Sequence, residues 1–307
     1  MNNNTNPIGT YINGNYTVTI YEDGTKIREN DLDNLTPSFA ENCDIKITDK
    51  CDGGCEYCYE GCTVNGKHSD LLSYRNIIES LHPYTELALN GNDLSHPQLI
   101  TFLNILKDKK VIANITVNQK HFIKYYNYLK AMTDNNLIHG IGISLIDTNN
   151  LDFFTKVKNF PNAVIHTIAG ITTIEQYKIL ANNNCKILIL GYKTKGRGVN
   201  YFTDNCDKVS QLITLLKNNL SDIVNKSQLV SFDNLAIEQL DVRNTLKLTD
   251  KQWNEFYMGD DGKYTFYIDL VKGEFAKNSV SDKRYKIENT MTIDDMFNII
   301  TKKLIEG

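Results

Sequence analysis

The sequence predicts an α/β fold: a partial (β/α)6 TIM-like barrel with an N-terminal β-hairpin and a C-terminal α+β extension. Three observations carry this. Six short runs rich in Ile, Val and Leu read as strands, at 44–48, 86–89, 111–117, 140–145, 163–168 and 186–190. Helical patterns follow each of them, at 70–81, 97–109, 120–133, 151–158, 174–182 and 204–220. Polar insertions come directly after the strands: Asp49-Lys50-Cys51, Asn90-Gly91-Asn92-Asp93, Asn118-Gln119, Asp147-Thr148, Gly170 and Gly191-Tyr192-Lys193. Polar residues gathered where strands end favour a barrel over a doubly wound sheet, because barrels build their sites on those loops.

The flanking elements follow from local pattern. Tyr16-Thr17-Val18-Thr19-Ile20-Tyr21 alternates as a strand, turns at Glu22-Asp23-Gly24 and continues through Thr25-Lys26-Ile27, which makes a β-hairpin. After residue 225, Gln228-Leu229-Val230-Ser231-Phe232 reads as a further strand. Tyr264-Thr265-Phe266-Tyr267-Ile268 follows the Gly259-Asp260-Asp261-Gly262 turn as half of a hairpin, and 293–304 is an amphipathic helix. The expected division is 1–40 for the hairpin and lead-in, 41–225 for the barrel core and 226–307 for an extension closing the barrel.

Composition narrows the function classes. Of 307 residues, 41% are hydrophobic and 23% charged, with 5 Pro and 18 Gly, so the chain is neither disordered nor collagen-like. No run approaches the roughly 20 apolar residues that span a bilayer, and the start Met1-Asn2-Asn3-Asn4-Thr5-Asn6 lacks the features of a secretory signal. A cytoplasmic location and no membrane partner are expected. With a net charge of -4 and interspersed signs, no basic stripe points to nucleic acid.

Seven cysteines is an odd number, which argues against a fully paired disulfide framework, and Cys43, Cys51, Cys55, Cys58 and Cys62 crowd together while Cys185 and Cys206 lie far off. Cys51, Cys55 and Cys58 stand at C-x3-C-x2-C directly after the first barrel strand. Thiolates spaced this way on a Gly-containing loop converge on one soft metal centre. A structural zinc site would close with Cys62 or His68 as fourth ligand. A 4Fe-4S cluster on three cysteines would keep one iron open, and on four it would serve electron transfer or structure.

Tyr57, just before the third cysteine, adds an aromatic to the pattern. With it the sequence resembles the radical S-adenosylmethionine (radical SAM) superfamily, whose signature is C-x3-C-x-(aromatic)-C in the loop after the first barrel strand. The resemblance implies that Cys51, Cys55 and Cys58 bind a 4Fe-4S cluster, that S-adenosylmethionine chelates the open iron, and that Tyr57 packs near the adenine. It also implies reductive cleavage of S-adenosylmethionine, hydrogen abstraction from a small-molecule or peptide substrate, and a low-potential electron donor such as flavodoxin or ferredoxin. Of the family's G-G-E-P motif after the second strand, Asn90-Gly91-Asn92-Asp93 keeps only one Gly, with Asn92 and Asp93 able to meet the methionine ammonium. The third strand ends in Val117-Asn118-Gln119, keeping the Asn of T-N-G. Ser144 is the ribose candidate on the fourth strand, Gly170 the adenine-side glycine after the fifth, and Arg197 resembles a Gly-Arg pair after the sixth. No catalytic residue is assigned, and the alternatives are a zinc-stabilised binding protein or a closed-cluster electron carrier.

Other residues have plainer expectations. Gly191 to Gly198 could cradle an anion or form a solvated turn, without the spacing of a P-loop. Asp233 reads as a helix N-cap or a substrate anchor. His82, His121, His139 and His166 are expected as surface or core groups, with His166 able to point inward. Cys185 and Cys206 are expected to be buried, and Cys43 to join the core.

Overall fold

The computed structural model describes residues 6–32, 34–90 and 94–305. The chain begins with a three-stranded antiparallel sheet of β1 (Pro7–Asn13), β2 (Tyr16–Tyr21) and β3 (Lys26–Glu29), in that order. Tyr16, Val18 and Ile20 turn inward from β2, as its alternation requires. The hairpin is as expected, but β1 is an addition: its burial has no clean period of two, so no pattern announces it.

The main sheet starts with β4 (Asn42–Lys46), followed by α1 (Arg75–Glu79), β5 (Glu86–Asn90), α2 (Leu99–Asp108) and β6 (Ile112–Asn118). Next come α3 (Gln119–Lys124), α4 (Tyr126–Asp134), β7 (Gly140–Ser144), α5 (Leu151–Val157), β8 (Ala163–Ile168), α6 (Ile174–Asn182) and β9 (Lys186–Leu190). The long α7 (Arg197–Lys226) leads to β10 (Leu229–Phe232), α8 (Asn234–Leu240), α9 (Val242–Thr245) and α10 (Asp250–Phe256). The chain closes with β11 (Thr265–Asp269), β12 (Glu274–Ala276), β13 (Tyr285–Lys286) and α11 (Ile293–Ile305).

Strand order is β10-β9-β8-β7-β6-β5-β4-β11-β12-β13, with every pair from β10 to β11 parallel. From β4 to β9 each strand lies beside its predecessor, so the sheet winds one way; a doubly wound sheet would reverse at a switch point. No pairing among the described residues joins β10 to β13, and the barrel is open. Side chains cross the gap: Asp261 accepts from Asn234 of α8 and from Asn278 after β12, both at 2.7 Å.

Successive strand residues divide between two environments. Ile45, Leu89, Ala113, Ile143, Ile165 and Ile189 pack under the helices, whereas their neighbours Asp44, Asn90, Asn114, Ser144, His166 and Leu188 face an interior cavity. The β2–β3 turn plugs the amino-terminal end of this cavity, where Asn162 donates to the Glu22 carbonyl at 2.8 Å and Lys26 pairs with Glu86 at 2.5 Å.

Some expected helices change shape. The 70–81 pattern becomes a 3-10 turn at Leu71–Ser73 and then α1, because the Leu71 N–H is drawn to the Gln98 side chain at 2.7 Å. The 120–133 pattern divides at Tyr125, whose backbone leaves the helical region. Helix α7 starts seven residues earlier than 204, with non-helical Asn205 (φ -135°, ψ 25°) inside it. Cys206 is exposed rather than buried, since at about 100° per residue it stands about 60° round the helix from the line of Val209, Leu216 and Leu220. Cys43 and Cys185 are buried as expected.

Candidate functional site

The connection from β4 to α1 is held by backbone rungs: Ser69 to Ile47, Asp49 to Lys67, Thr63 to Asp49 and Cys51 to Thr63, at 2.9–3.0 Å. Residues 51–62 therefore project as a loop from a fixed base at the carboxyl edge of the sheet. Arg197 grips that loop. Its Nε donates to the Cys55 carbonyl at 2.9 Å, its Nη1 to the Cys62 carbonyl at 2.8 Å, and its backbone N–H to the Cys58 carbonyl at 3.0 Å. Gly196 has φ +51° and lies so near the Tyr59 carbonyl that a Cβ would overlap it, which makes glycine the residue that permits the grip. Thus the Gly-rich loop after β9 folds onto the cysteine loop, and Arg197 is occupied by its carbonyls.

Burial raises the thiols of Cys51 and Cys55. Cys58 is lowered to about 6, chiefly by a hydrogen bond from Cys62, whose own thiol is correspondingly raised. Among the described residues no three His, Cys, Asp or Glu side chains stand together at metal-binding distances, so ligation requires the thiols to turn toward one another. The loop nevertheless fits a thiolate-bound centre. Soft donors are concentrated on it, and Gly53 packs where a Cβ would overlap the Asn118 amide and come within 3.2 Å of Cys51 Sγ. The buried Asn118 Nδ2 has no hydrogen-bond partner among the described residues and sits against this glycine.

Sequence reasoning missed several supports. Lys46, only 2% exposed, pairs with Asp49 at 2.5 Å, Glu60 at 2.7 Å and Asp269 at 3.8 Å, joining the loop to the end of β11. Its signal was present, a lysine inside an apolar strand. These carboxylates raise its affinity for the proton despite burial. Asn118 caps α3 by accepting from His121 N–H at 2.8 Å, and the His121 ring bonds to Asp52 between the first two loop cysteines. That bond holds the Asp52 carboxyl below its usual range. Nothing local in the sequence relates His121 to Asp52.

Inside the sheet is a cavity of about 1100 Å³, reaching from Cys58 and Cys62 at one end to Asp23 and Gly24 at the other. Asn90 and Ser144 face it, as do Asp44, Glu60, His166, Lys193 and Asp233. Gly91, Asn92 and Asp93 lie outside the described residues. Tyr57 stands at the rim with its ring edge-on to Tyr201 at 5.7 Å. Gly170, at φ +84°, makes room for α7, since a Cβ would meet Val209 Cγ1 at 2.7 Å. Asp233 is the N-cap of α8, accepting from Ala236 and Gly191 N–H groups at 2.8 Å each. His166 points inward, and its imidazole lies across Gly142, where any Cβ would overlap the ring. Burial lowers His166 to about 4 and raises Asp44 from the usual 3.8 to about 6.

No protein-family model and no curated protein matches this sequence. Among solved structures, the crystal structure of Streptococcus suis SuiB bound to S-adenosylmethionine aligns with 82% of the chain at a TM-score of 0.51 and 13% identity. The two share a fold. The alignment spans 64% of SuiB, a little under two thirds of its length. A tryptophan synthase α-subunit from Pyrococcus furiosus aligns with 87% of this chain and 98% of its own, at 10% identity and a TM-score of 0.40. Among the described residues no helix is long and apolar enough to cross a membrane.

Proposed function

We propose that this protein is a radical SAM enzyme in which Cys51, Cys55 and Cys58 hold a 4Fe-4S cluster and S-adenosylmethionine binds beside it at the mouth of the cavity. One observation carries the reading: the C-x3-C-x-Tyr-C loop leaves the first strand of a singly wound parallel sheet and brings Cys58 to the wall of a large interior cavity. The fold shared with SuiB, solved with S-adenosylmethionine, supports that ligand. Such a cluster would supply the electron for reductive cleavage of S-adenosylmethionine and so for hydrogen abstraction from a substrate.

The chain's own residues prepare the chamber. Arg197 and Lys46 hold the loop in place, while Asn90 and Ser144 offer polar groups from the carboxyl ends of β5 and β7. Gly91, Asn92 and Asp93 are assigned to the methionine ammonium, and Tyr57, Asn118 and Gly170 to the nucleoside side. The β2–β3 turn shuts the far end, limiting the water that would quench a reactive species. Residues 1–40, 41–225 and 226–307 are read as cap, core and closing extension. The reading includes a cytoplasmic location, a small-molecule or peptide substrate and a donor such as flavodoxin or ferredoxin.

Anaerobic reconstitution followed by a deoxyadenosine assay, with and without dithionite, tests it. Deoxyadenosine only with reductant is expected; none from a fully loaded, reduced protein overturns the proposal. A closed four-thiol site, binding zinc or an electron-transfer cluster, is a second reading favoured by the mutual influence of the Cys58 and Cys62 thiols, the one lowered and the other raised. Cys62→Ala should keep the metal under the first reading and lose it under the second, whereas Cys55→Ala should lose it under both.

A further inference from the structure

Three side chains on the cavity wall, Asp44, His166 and Lys193, have no ion-pair partner among the described residues. No described residue hydrogen-bonds or ion-pairs with the Asp44 carboxylate, although it stands open to the cavity with protein around it. Lys193 reaches in over the ring of Tyr59, 4.2 Å from its centroid, and donates to Ser279 Oγ at 3.2 Å, with no carboxylate at ion-pair distance among the described residues. The His166 ring, lying in the space that Gly142 leaves, is bonded to no described residue. By contrast Glu60 is paired with Lys46, Glu86 with Lys26, and Asp233 accepts two backbone N–H groups.

The charges around these groups have direction. Asp44 feels Asp261, Asp233 and Glu60 as like charges and Lys193 as the opposing one, so its side of the cavity favours an added cation. Lys193, on the loop after β9, offers the place for an anion. Wall charges that no protein group pairs are open to pairing by a ligand. At about 1100 Å³ the cavity also exceeds the roughly 300–1000 Å³ typical of one small-molecule site, so it has room for a second, smaller ligand beside S-adenosylmethionine.

We propose that the lumen binds a zwitterionic substrate of the free amino acid class, its ammonium on Asp44 and its carboxylate on Lys193, with His166 directing the side chain or a further polar group. This deepens the radical SAM reading and rests on it for calling the ligand a substrate, but the binding step does not depend on a cluster.

The test uses the full chain, with and without S-adenosylmethionine. The common L-amino acids are screened by saturation-transfer NMR, and each binder is then titrated by calorimetry beside its N-acetyl and carboxamide forms. At least one free amino acid should bind, and blocking either end should weaken it about tenfold or more. Asp44→Asn should weaken the free amino acid similarly while removing the penalty for N-acetylation. Lys193→Met should do the same for amidation, and Lys193→Arg should restore binding. Thermal melts establish that each variant is folded, and Ser231→Ala, elsewhere on the wall, should bind as the parent does. The proposal is overturned if no amino acid binds, if blocked forms bind as well as free ones, or if both charge variants bind normally. Iron content and deoxyadenosine formation on the same preparation report on the radical SAM reading separately, so either idea can fail alone.

Discussion

The rim of the barrel and the wall of its lumen treat charge in opposite ways. At the rim, Lys46 is enclosed by three carboxylates, the Arg197 guanidinium donates to two loop carbonyls, and His121 is bonded to Asp52. Along the wall, Asp44, His166 and Lys193 stand within the same cavity without such bonds to one another. The rim uses charge to hold a loop in one conformation. The wall leaves charge unpaired, at a cost in stability that a bound ligand would offset. Preorganised support beneath an uncommitted surface is what a reaction chamber needs.

The largest break in this contrast is expected from Lys46→Met. Removing the cation leaves Asp49, Glu60 and Asp269 facing one another, and loss of a buried partner costs about 3–5 kcal/mol. Urea unfolding should show that drop. Arg197→Lys keeps the charge but cannot span both carbonyls, so a loss of about 2–3 kcal/mol is expected, readable as faster proteolysis within residues 51–62.

On the lumen side, Gly142→Ala forces the His166 ring out of its place. About 1–3 kcal/mol should be lost, and the imidazole NMR signals should shift while those of the cysteine loop stay put.

A smaller effect concerns pH. Asp44 titrates near 6 in the folded protein against 3.8 ordinarily, so between those values the folded state holds more protons and Asp44 makes stability fall as pH rises. His166 titrates near 4 against 6.5, so between pH 4 and 6.5 the folded state holds fewer protons and His166 makes stability rise. The slopes oppose each other in the parent protein. In Asp44→Asn the slope that opposes His166 is gone, so its urea midpoint should climb more steeply than the parent's between pH 4 and 6.5 and exceed it near neutrality. A variant profile no steeper than the parent's would contradict this account. The smallest effect is expected from Cys206→Ser, exposed and away from both regions, within about 0.5 kcal/mol of the parent.

Much of the fold was legible because it depends on local pattern. The strands 163–168 and 186–190 and the helix 174–182 match β8, β9 and α6 at both ends. The start of α7 was not legible, since Gly196-Arg197-Gly198 reads as loop and becomes a helix start only against the cysteine loop. For the site, the thiols and the strand-end polar residues Asn90 and Ser144 were visible, as was the N-cap at Asp233. Lys46 was missed although a lysine inside an apolar strand was its signal, and the anion cradle read over 191–198 did not single out Lys193, because a cation's role depends on which carboxylates or ligands the fold brings to it.

By itself the sequence determined the α/β class, the succession of strand and helix and the position of a thiol-rich loop after the first barrel strand. Hydrophobic period and cysteine spacing act over a few residues and need no partner from afar. The tertiary structure alone decided that the sheet winds one way yet stays open, that Arg197 secures the loop rather than facing the cavity, and that Asp44, His166 and Lys193 share one chamber. Those outcomes depend on which strands become neighbours and which charges find partners. In this chain the deciding pairs, Arg197 with Cys55 and Lys46 with Asp269, are 142 and 223 residues apart.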